Sequence, residues 1–302
     1  MVKSLPNISI CICTFRRGDL LLRLLKSLET LDSDGLFTYS LVVADNDACR
    51  SAERLVHEFA VHSDIRVTYC VESQQNIALA RNKALANADG DFVAFIDDDE
   101  FPTKRWLVTL FTECERLQVD GVLGPVHPHF DEKPPSWVIK GKFYDRPSYP
   151  TGLLIDGKKG RTGNVLLRKR VLADAGAEAF RPRFRTGEDQ DFFTRMIDRG
   201  YRFTWCHEAT VYEVVPPNRW KRSFMLRRAL LRGATGVLRQ SFGSRELVKS
   251  IIAVPTYAVM LPFALLLGQH RFMNVLIRLF DHVGKLLGVG GCNPVREPYV
   301  TD

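Results

Sequence analysis

The chain has 302 residues, 45% hydrophobic and 25% charged, the make-up of a globular core in one large or two small domains. Its seven cysteines, an odd number without any C-x-x-C pair, exclude a disulfide framework as the organising device and fit a reducing compartment. The net charge of +7 is local in origin, because residues 216–250 carry nine Lys or Arg against the single acid Glu246. Such a stretch suits an anionic partner (nucleic acid, a phosphorylated ligand or an acidic membrane surface), although a solvated helix face has the same composition.

The opening Met-Val-Lys-Ser-Leu-Pro-Asn lacks the long apolar segment of a signal peptide and leads into a predicted strand at Ile8–Thr14. Cys11 and Cys13 alternate there with isoleucines and read as buried thiols. Leucines at helical spacing predict an amphipathic helix over Leu20–Leu31. The alternation continues with a strand at Tyr39–Ala44, a helix at Ala52–Ala60, a strand at Ile65–Val71 and a helix at Ile77–Ala88. A strand at Phe92–Ile96 and a helix at Trp106–Leu117 complete the series. Repeated βα units predict an α/β fold: a mostly parallel sheet, helices on both faces, right-handed crossovers. The strand ends then place Thr14, Asp45 and Asp97–Asp99 along one edge, where such sheets bind ligands.

From 126 to 160 the pattern breaks into Pro, His, Gly and charge, predicting a loop-rich insert. Regular structure resumes with a strand at Asn164–Leu167 and a helix from Glu188 to Arg199, which Gly200 stops. A short strand pair, Phe203–Trp205 with Ala209–Val214, and a basic helix over Trp220–Leu238 follow. Ile251–Gly268 then runs 18 residues without a charge, the lower limit for crossing a bilayer, with Pro255 and Pro262 expected to kink it. Phe272–Leu287 is amphipathic. These two segments read either as a buried core hairpin or as a membrane-embedded or re-entrant element. The basic stretch just upstream favours the membrane, since positive charges flanking a hydrophobic segment mark its cytoplasmic side.

Two acidic clusters carry the chemistry. Asp97-Asp98-Asp99 follows a buried strand, where mutual repulsion is relieved by a hard divalent cation that also takes phosphate oxygens. Gly187-Glu188-Asp189-Gln190-Asp191 opens a helix. In isolation the first would be a solvated acidic turn, and the second would serve the helix dipole. Together they suit a metal-bound diphosphate at one cluster and, roughly ninety residues later, a carboxylate base for an incoming hydroxyl at the other.

An ordered series of motifs resembles family 2 glycosyltransferases of the GT-A fold over nearly all of residues 7–235. The series runs through Thr14-Phe15-Arg16, Val42-Val-Ala-Asp45-Asn46, Asn76-Ile-Ala-Leu-Ala-Arg81-Asn82, the approach to Asp97-Asp98-Asp99, Thr162-Gly163-Asn164, Glu188-Asp189 and the basic Arg227-Arg228. The resemblance implies a donor site of Thr14, Phe15, Arg16 and Asp45 with Asn76 or Arg81 nearby, Asp97 and Asp98 reaching ribose and sugar. It implies Mn2+ or Mg2+ at Asp99, with Asp97 as a further ligand, and Asp189 as the base with Glu188 as second choice. Gly163, Asn164, Trp106, Arg227 and Arg228 would line the sugar and acceptor pocket.

The implied activity is inverting transfer of one sugar from a nucleotide donor, with UDP preferred, to a lipid-linked saccharide. A polyprenyl diphosphate carrier, anionic and apolar at once, matches an arginine-rich helix followed by an apolar segment at the cytoplasmic membrane face. The corresponding division is a catalytic domain at 1–215, in which residues 1–125 bind the nucleotide and residues 126–215 face the acceptor. A basic helical region at 216–250 and a membrane-associating region at 251–302 follow it. Three departures stand out. Asn46-Asp47-Ala48 replaces the family's D-G-S, Tyr212-Glu213-Val214-Val215 lacks a common histidine, and Pro216 occupies the place of the glutamine of processive synthases. The last favours single additions. The alternatives are a membrane-bound scaffold with degenerate sites or a nucleic-acid binder; the basic run has no stacking platform for the latter. A nucleotidyltransferase would need a glycine-rich loop where Cys13-Thr-Phe-Arg-Arg stands.

Overall fold

The computed structural model describes residues 4–184, 187–239 and 244–292, in two compact units. The first unit holds residues up to Pro128, 146–183 and 187–214. Its elements in chain order are β1 (Asn7–Thr14), α1 (Gly18–Leu28), β2 (Thr38–Asp45), α2 (Glu53–His62), β3 (Val67–Val71), α3 (Ile77–Ala86), β4 (Phe92–Ile96), β5 (Glu100–Pro102), α4 (Trp106–Leu117), β6 (Gly121–Leu123) and β7 (Val126–His129). After α5 (Ser136–Gly141), in the second unit, come β8 (Asn164–Arg168), α6 (Lys169–Ala175), α7 (Glu188–Asp198), β9 (Phe203–Trp205) and β10 (Val211–Val214).

Seven strands form one sheet in the order β3-β2-β1-β4-β8-β6-β9, parallel except at β8, which runs antiparallel to both β4 and β6. Strand alternation sends Ile8, Ile10 and Ile12 to one face and Cys11 to the other. The first face is covered by α1, α2 and α4, with Leu21, Leu24, Leu25 and Leu28 of α1 fully buried. Each such leucine stabilises the fold by about 2 kcal/mol. The second face is covered by α3, α6 and α7, through Ala78, Ala84, Val171, Phe192, Phe193 and Met196. Burial on both faces is why Phe92–Ile96 reads as an unbroken apolar run.

The expected strand pair Phe203–Trp205 with Ala209–Val214 does not form. β9 instead joins the large sheet beside β6, and β10 pairs antiparallel with β5 in a second sheet, ordered β5-β10-β7. The three-residue strands β5 and β6 are too short to show a period, and the 126–160 insert contains β7 and α5.

Because β8 runs backwards, its first residue Asn164 pairs with Ile96, the last of β4. That antiparallel register carries the Thr162-Gly163 loop to the carboxyl edge of the sheet. Asn164 is 2% exposed and closes a buried network. Its Oδ1 accepts from Trp106 Nε1 at 2.8 Å, and its Nδ2 donates to the carbonyls of Pro125 at 2.9 Å and Ala209 at 2.7 Å.

The second unit contains residues 129–145, 184 and the chain from 215 on. After a single 3-10 turn (Pro217–Trp220) come α8 (Arg222–Arg239), α9 (Ser244–Leu266) and α10 (Gln269–Val289). Gly284 and Gly288 of α10 lie against the Leu230 and Ala234 carbonyls of α8, and a Cβ at either would run into them. Arg232 Nε donates to Asp281 at 2.7 Å across the same pair. α9 packs on α10 through His282, whose ring lies 5.8 Å from that of Tyr257 and 3.0 Å from Ser250 Oγ. Pro255 and Pro262 both sit inside α9. Its outer side is bare: Ile252, Val259, Phe263 and Leu266 are exposed, which excludes the buried-hairpin reading. Arg245–Leu266 is, by length and composition, long and apolar enough to cross a bilayer.

Replacing Asn164 with Ala orphans one indole N–H and two carbonyls in the core. The expected loss is about 3 kcal/mol, read as a lowered urea midpoint at unchanged slope.

Candidate active site

β4 delivers Asp97, Asp98 and Asp99 past the sheet edge, and the neighbouring elements close on them. From the end of β1, Thr14 Oγ1 donates to Asp98 Oδ2 at 2.8 Å. Arg17, at the N-cap position just before α1, puts Nη1 3.2 Å from both Asp98 Oδ1 and Asp99 Oδ2. Asp98 and Asp99 are buried, at 4% and 6% exposure. Burial and the charges of Asp99 and Asp97 push the Asp98 carboxyl up to about 7, against the opposing pull of Arg17 and Thr14.

α3 supplies the link to the second cluster. Asn76 caps it, accepting from the Ala78 and Leu79 amides, and Arg81 lies one turn in. The Arg81 guanidinium contacts Asp97 Oδ1 at 3.5 Å through Nη2 and Glu188 Oε1 through Nη1. Burial works against its charge, but Glu188 and Asp97 outweigh that and hold it firmly protonated. α3 also clamps the chain entering α7. Asn82 exchanges two bonds with the Phe180 backbone, at 2.7 and 2.9 Å, and Asn76 Nδ2 donates to the Pro182 carbonyl at 2.8 Å.

Gly187 then takes a left-handed φ of 82°, a conformation natural to glycine, before α7 begins. Glu188 is 4% exposed and Asp189 partly exposed, so the two acids face different surroundings. Burial pushes the Glu188 carboxyl up, with Arg81 opposing, and its Oε2 has no hydrogen-bond partner among the described residues.

A third carboxylate lies beneath the motif. Glu100 is 1% exposed, its Oε2 accepts from the Asp97 amide at 3.1 Å, and its Oε1 has no partner among the described residues. In the β5–β10 register it stands opposite Glu213, a second carboxyl group, which Arg146 binds. Burial holds the Glu100 carboxyl well above its ordinary range. Over this floor passes Gly163, whose missing side chain is required: a Cβ there would lie 2.7 Å from Glu100 Oε1 and 3.1 Å from Asp97 Oδ2.

The chemistry of the donor set suits a divalent cation: Asp97–Asp99 offer hard oxygen ligands, with Asp98 and Asp99 buried and Asp97 partly exposed. Among the described residues no three His, Cys, Asp or Glu side chains form an all-protein cage, so remaining positions would fall to phosphate oxygens and water.

Residues 9–172 match the family described as Glycosyl transferase family 2. The chain is also 31% identical over 306 residues to the Succinoglycan biosynthesis protein ExoM of Rhizobium meliloti, an alignment covering 96% of this chain and 95% of that protein. This chain belongs to glycosyltransferase family 2. It is a glycosyltransferase related to enzymes of bacterial polysaccharide biosynthesis. The Campylobacter jejuni GalNAc(5)-diNAcBac-PP-undecaprenol beta-1,3-glucosyltransferase is 29% identical over 112 residues, 36% of this chain and 35% of that one. Among solved structures, the mannosyltransferase PcManGT of Pyrobaculum calidifontis, in complex with GDP-Man and Mn2+, superposes with a TM-score of 0.65 at 17% identity, covering 95% and 88% of the two chains. S. aureus TarS 1-349, in complex with UDP-GlcNAc, gives 0.54 at 16% identity over 96% and 93%. These likenesses give the GT-A-like fold.

Within the glycosyltransferase the expected residues divide. Thr14, Arg81, Asp97, Asp98, Asp99, Gly163, Glu188 and Asp189 gather at the sheet edge. Phe15 and Arg16 lie beside it, with the Arg16 guanidinium 5.0 Å from the Phe15 ring centre and paired to Asp47 at 2.9 Å.

The other expected residues are placed as follows. Asp45 is fully buried and accepts from the Asp47 and Ala52 amides and from Tyr69 Oη, anchoring the loop after β2. Asn76 caps α3, and Arg81 bridges Asp97 and Glu188. Trp106 is 0% exposed, so it and Asn164 form core structure and do not line a pocket. Arg227 and Arg228 lie exposed on α8 in the second unit.

Sequence reasoning missed Arg17, Glu100 and Arg146. Arg17 had a signal, a cation at a helix start on the same edge as the acids. Arg146 had none, lying 67 positions from Glu213 in a segment read as loop.

An unfolded aspartate titrates near about 3.9, so between that pH and about 7 the folded chain retains a proton on Asp98 that the unfolded chain releases. Ligand-free stability should therefore fall as pH rises from about 5 to about 8. Thermal midpoints across this range should show the decline, and Asp98→Asn should lessen it.

Proposed function

We propose that this glycosyltransferase is a metal-dependent, inverting enzyme. In this reading it moves one sugar from a nucleotide donor, a UDP-sugar first, to a hydroxyl of a lipid-linked saccharide at the cytoplasmic membrane face. The observation that carries the reading is the contact of one guanidinium, Arg81, with both Asp97 and Glu188. It ties the acidic motif after β4 to the acidic start of α7, the two clusters that this reading gives to the diphosphate and to the base.

Asp99, with Asp97, would hold Mn2+ or Mg2+, and a cation there stabilises the negative charge that develops on the departing diphosphate. Asp189 is the base. It is partly exposed at the start of a rigid helix, whereas Glu188 is tied to Arg81. Attack from the face opposite the leaving group inverts the anomeric carbon, so Asp189 takes the acceptor proton on the side away from Asp99. Arg81, paired to Asp97 and Glu188, holds the two acidic clusters in place.

Several comparisons support donor and acceptor. The TarS and PcManGT complexes carry UDP-GlcNAc and GDP-Man, the latter with Mn2+. The C. jejuni relative is named for an undecaprenol-linked acceptor, and ExoM for succinoglycan biosynthesis. The division of labour follows: residues 1–215 for catalysis, the basic 216–250 region for anionic headgroups, and 251–302 for attachment through the exposed face of α9.

A screen of nucleotide sugars for hydrolysis with Mn2+ identifies the donor. Asp99→Asn and Asp189→Asn should each lower transfer by about 1000-fold, but only the former should weaken Mn2+-dependent nucleotide binding. Normal turnover in Asp189→Asn would remove it as the base.

For the membrane, flotation with anionic vesicles should carry the wild-type chain upward. Phe263→Glu combined with Leu266→Glu should leave it at the bottom with an unchanged thermal midpoint, because both side chains are exposed. A wild-type chain that never floats would rule out attachment through α9.

A further inference from the structure

Arg161 stands apart from the other site cations. Arg17, Arg81 and Arg146 each hold a carboxylate. Arg161, half-buried, makes no hydrogen bond or ion pair among the described residues. It lies in the loop where the 3-10 turn Gly157–Lys159 packs on α7: Gly157 lies against Thr194, and Gly160 against the Phe193 ring, too close for a Cβ at either. The next residue, Thr162, is 1% exposed and its hydroxyl also lacks a partner among the described residues. The residue after that is Gly163, which passes over Asp97 and Glu100.

Contacts of this loop place Arg161 by the start of α7, where Gln190 Nε2 donates to the Lys158 carbonyl at 3.2 Å. Burial and the nearby Arg146 disfavour its positive charge, and Asp189 is the first group that offsets them. In an inverting displacement the base and the leaving diphosphate lie on opposite faces of the sugar, so a cation beside Asp189 faces the acceptor. A half-buried guanidinium that makes no hydrogen bond or ion pair among the described residues is poised for an incoming anion, and its planar fork matches phosphoryl oxygens in pairs.

We propose that Arg161 recognises a phosphoryl oxyanion of the acceptor, close to the attacking hydroxyl, and so selects diphosphate-linked over neutral acceptors. This deepens the reading above and rests on its assignment of Asp189 to the acceptor side. The shared chemistry is a diphosphate, which could belong to a lipid carrier or be free in solution, and the test separates the two.

Wild type, Arg161→Ala and Arg161→Lys are titrated calorimetrically with farnesyl diphosphate and, separately, with inorganic pyrophosphate. Saturating UDP and excess Mn2+ keep the donor site filled. Wild type should bind farnesyl diphosphate alongside UDP. Arg161→Ala should bind it at least tenfold more weakly, with Arg161→Lys in between, and UDP affinity should stay within about twofold. Tighter binding of farnesyl diphosphate than of pyrophosphate supports a lipid-linked source; equal binding supports the same residue acting on the free anion.

Absence of binding by wild type, unchanged binding by Arg161→Ala, or a tenfold loss of UDP affinity in that variant would each overturn the proposal. The last would assign the arginine to the donor. Failure of wild type to bind UDP would instead sink the nucleotide-donor reading, while the farnesyl diphosphate comparison would still report on Arg161. Folding does not confound the result, because removing an unpaired cation leaves no buried partner exposed. The thermal midpoint of Arg161→Ala should equal or exceed that of wild type.

Discussion

The buried ion pair between Arg81 and Glu188 is the constraint from which the rest of the site follows. Burying a carboxylate or a guanidinium alone is costly, and losing one partner of a buried pair typically costs about 3–5 kcal/mol. α3 and the start of α7 are therefore locked together, and Asp97 joins them through the other amine of the same guanidinium. Asn76 and Asn82 reinforce the lock by bonding the backbone at Pro182 and Phe180. Two acidic groups that would separate by repulsion are thus fixed on opposite sides of one cation.

Topology prepares this arrangement. Parallel β1, β2 and β4 bring Thr14, Asp45 and the acidic motif to one edge. The single reversed strand, β8, brings the Thr162–Gly163 loop to the same edge from the opposite direction. A wholly parallel sheet would have sent the start of that strand to the far end, away from the acids. The hydrogen bonds of Asn164 to the carbonyls of Pro125 and Ala209 then hold this turn to two further segments.

Elements with a strong period were legible in the sequence. The apolar alternation of β1, the leucines of α1 and the continuous run of β4 each gave position and type, because burial on two faces leaves a pattern that sequence alone preserves. Residue types in the acidic clusters were legible for the same reason, since their chemistry is local. What a side chain touches was not. Asp45, Asn76 and Trp106 have the right chemistry for ligands and bond within the fold, an arrangement fixed by their neighbours. The partner of β9 was equally hidden, because a three-residue strand carries too few side chains to state a preference.

Glu100, Glu213 and Arg146 have a consequence for how such sequences can drift. Two carboxyl groups meet across antiparallel strands beneath the acidic motif, and one guanidinium from a distant loop binds the second of them. Exchanging Glu213 for a neutral imidazole would leave Arg146 with a surplus charge, and losing Arg146 first would strand Glu213. Positions 146 and 213 should therefore vary in concert across related chains. A lineage passing from one pairing to the other must cross an intermediate less stable than either end.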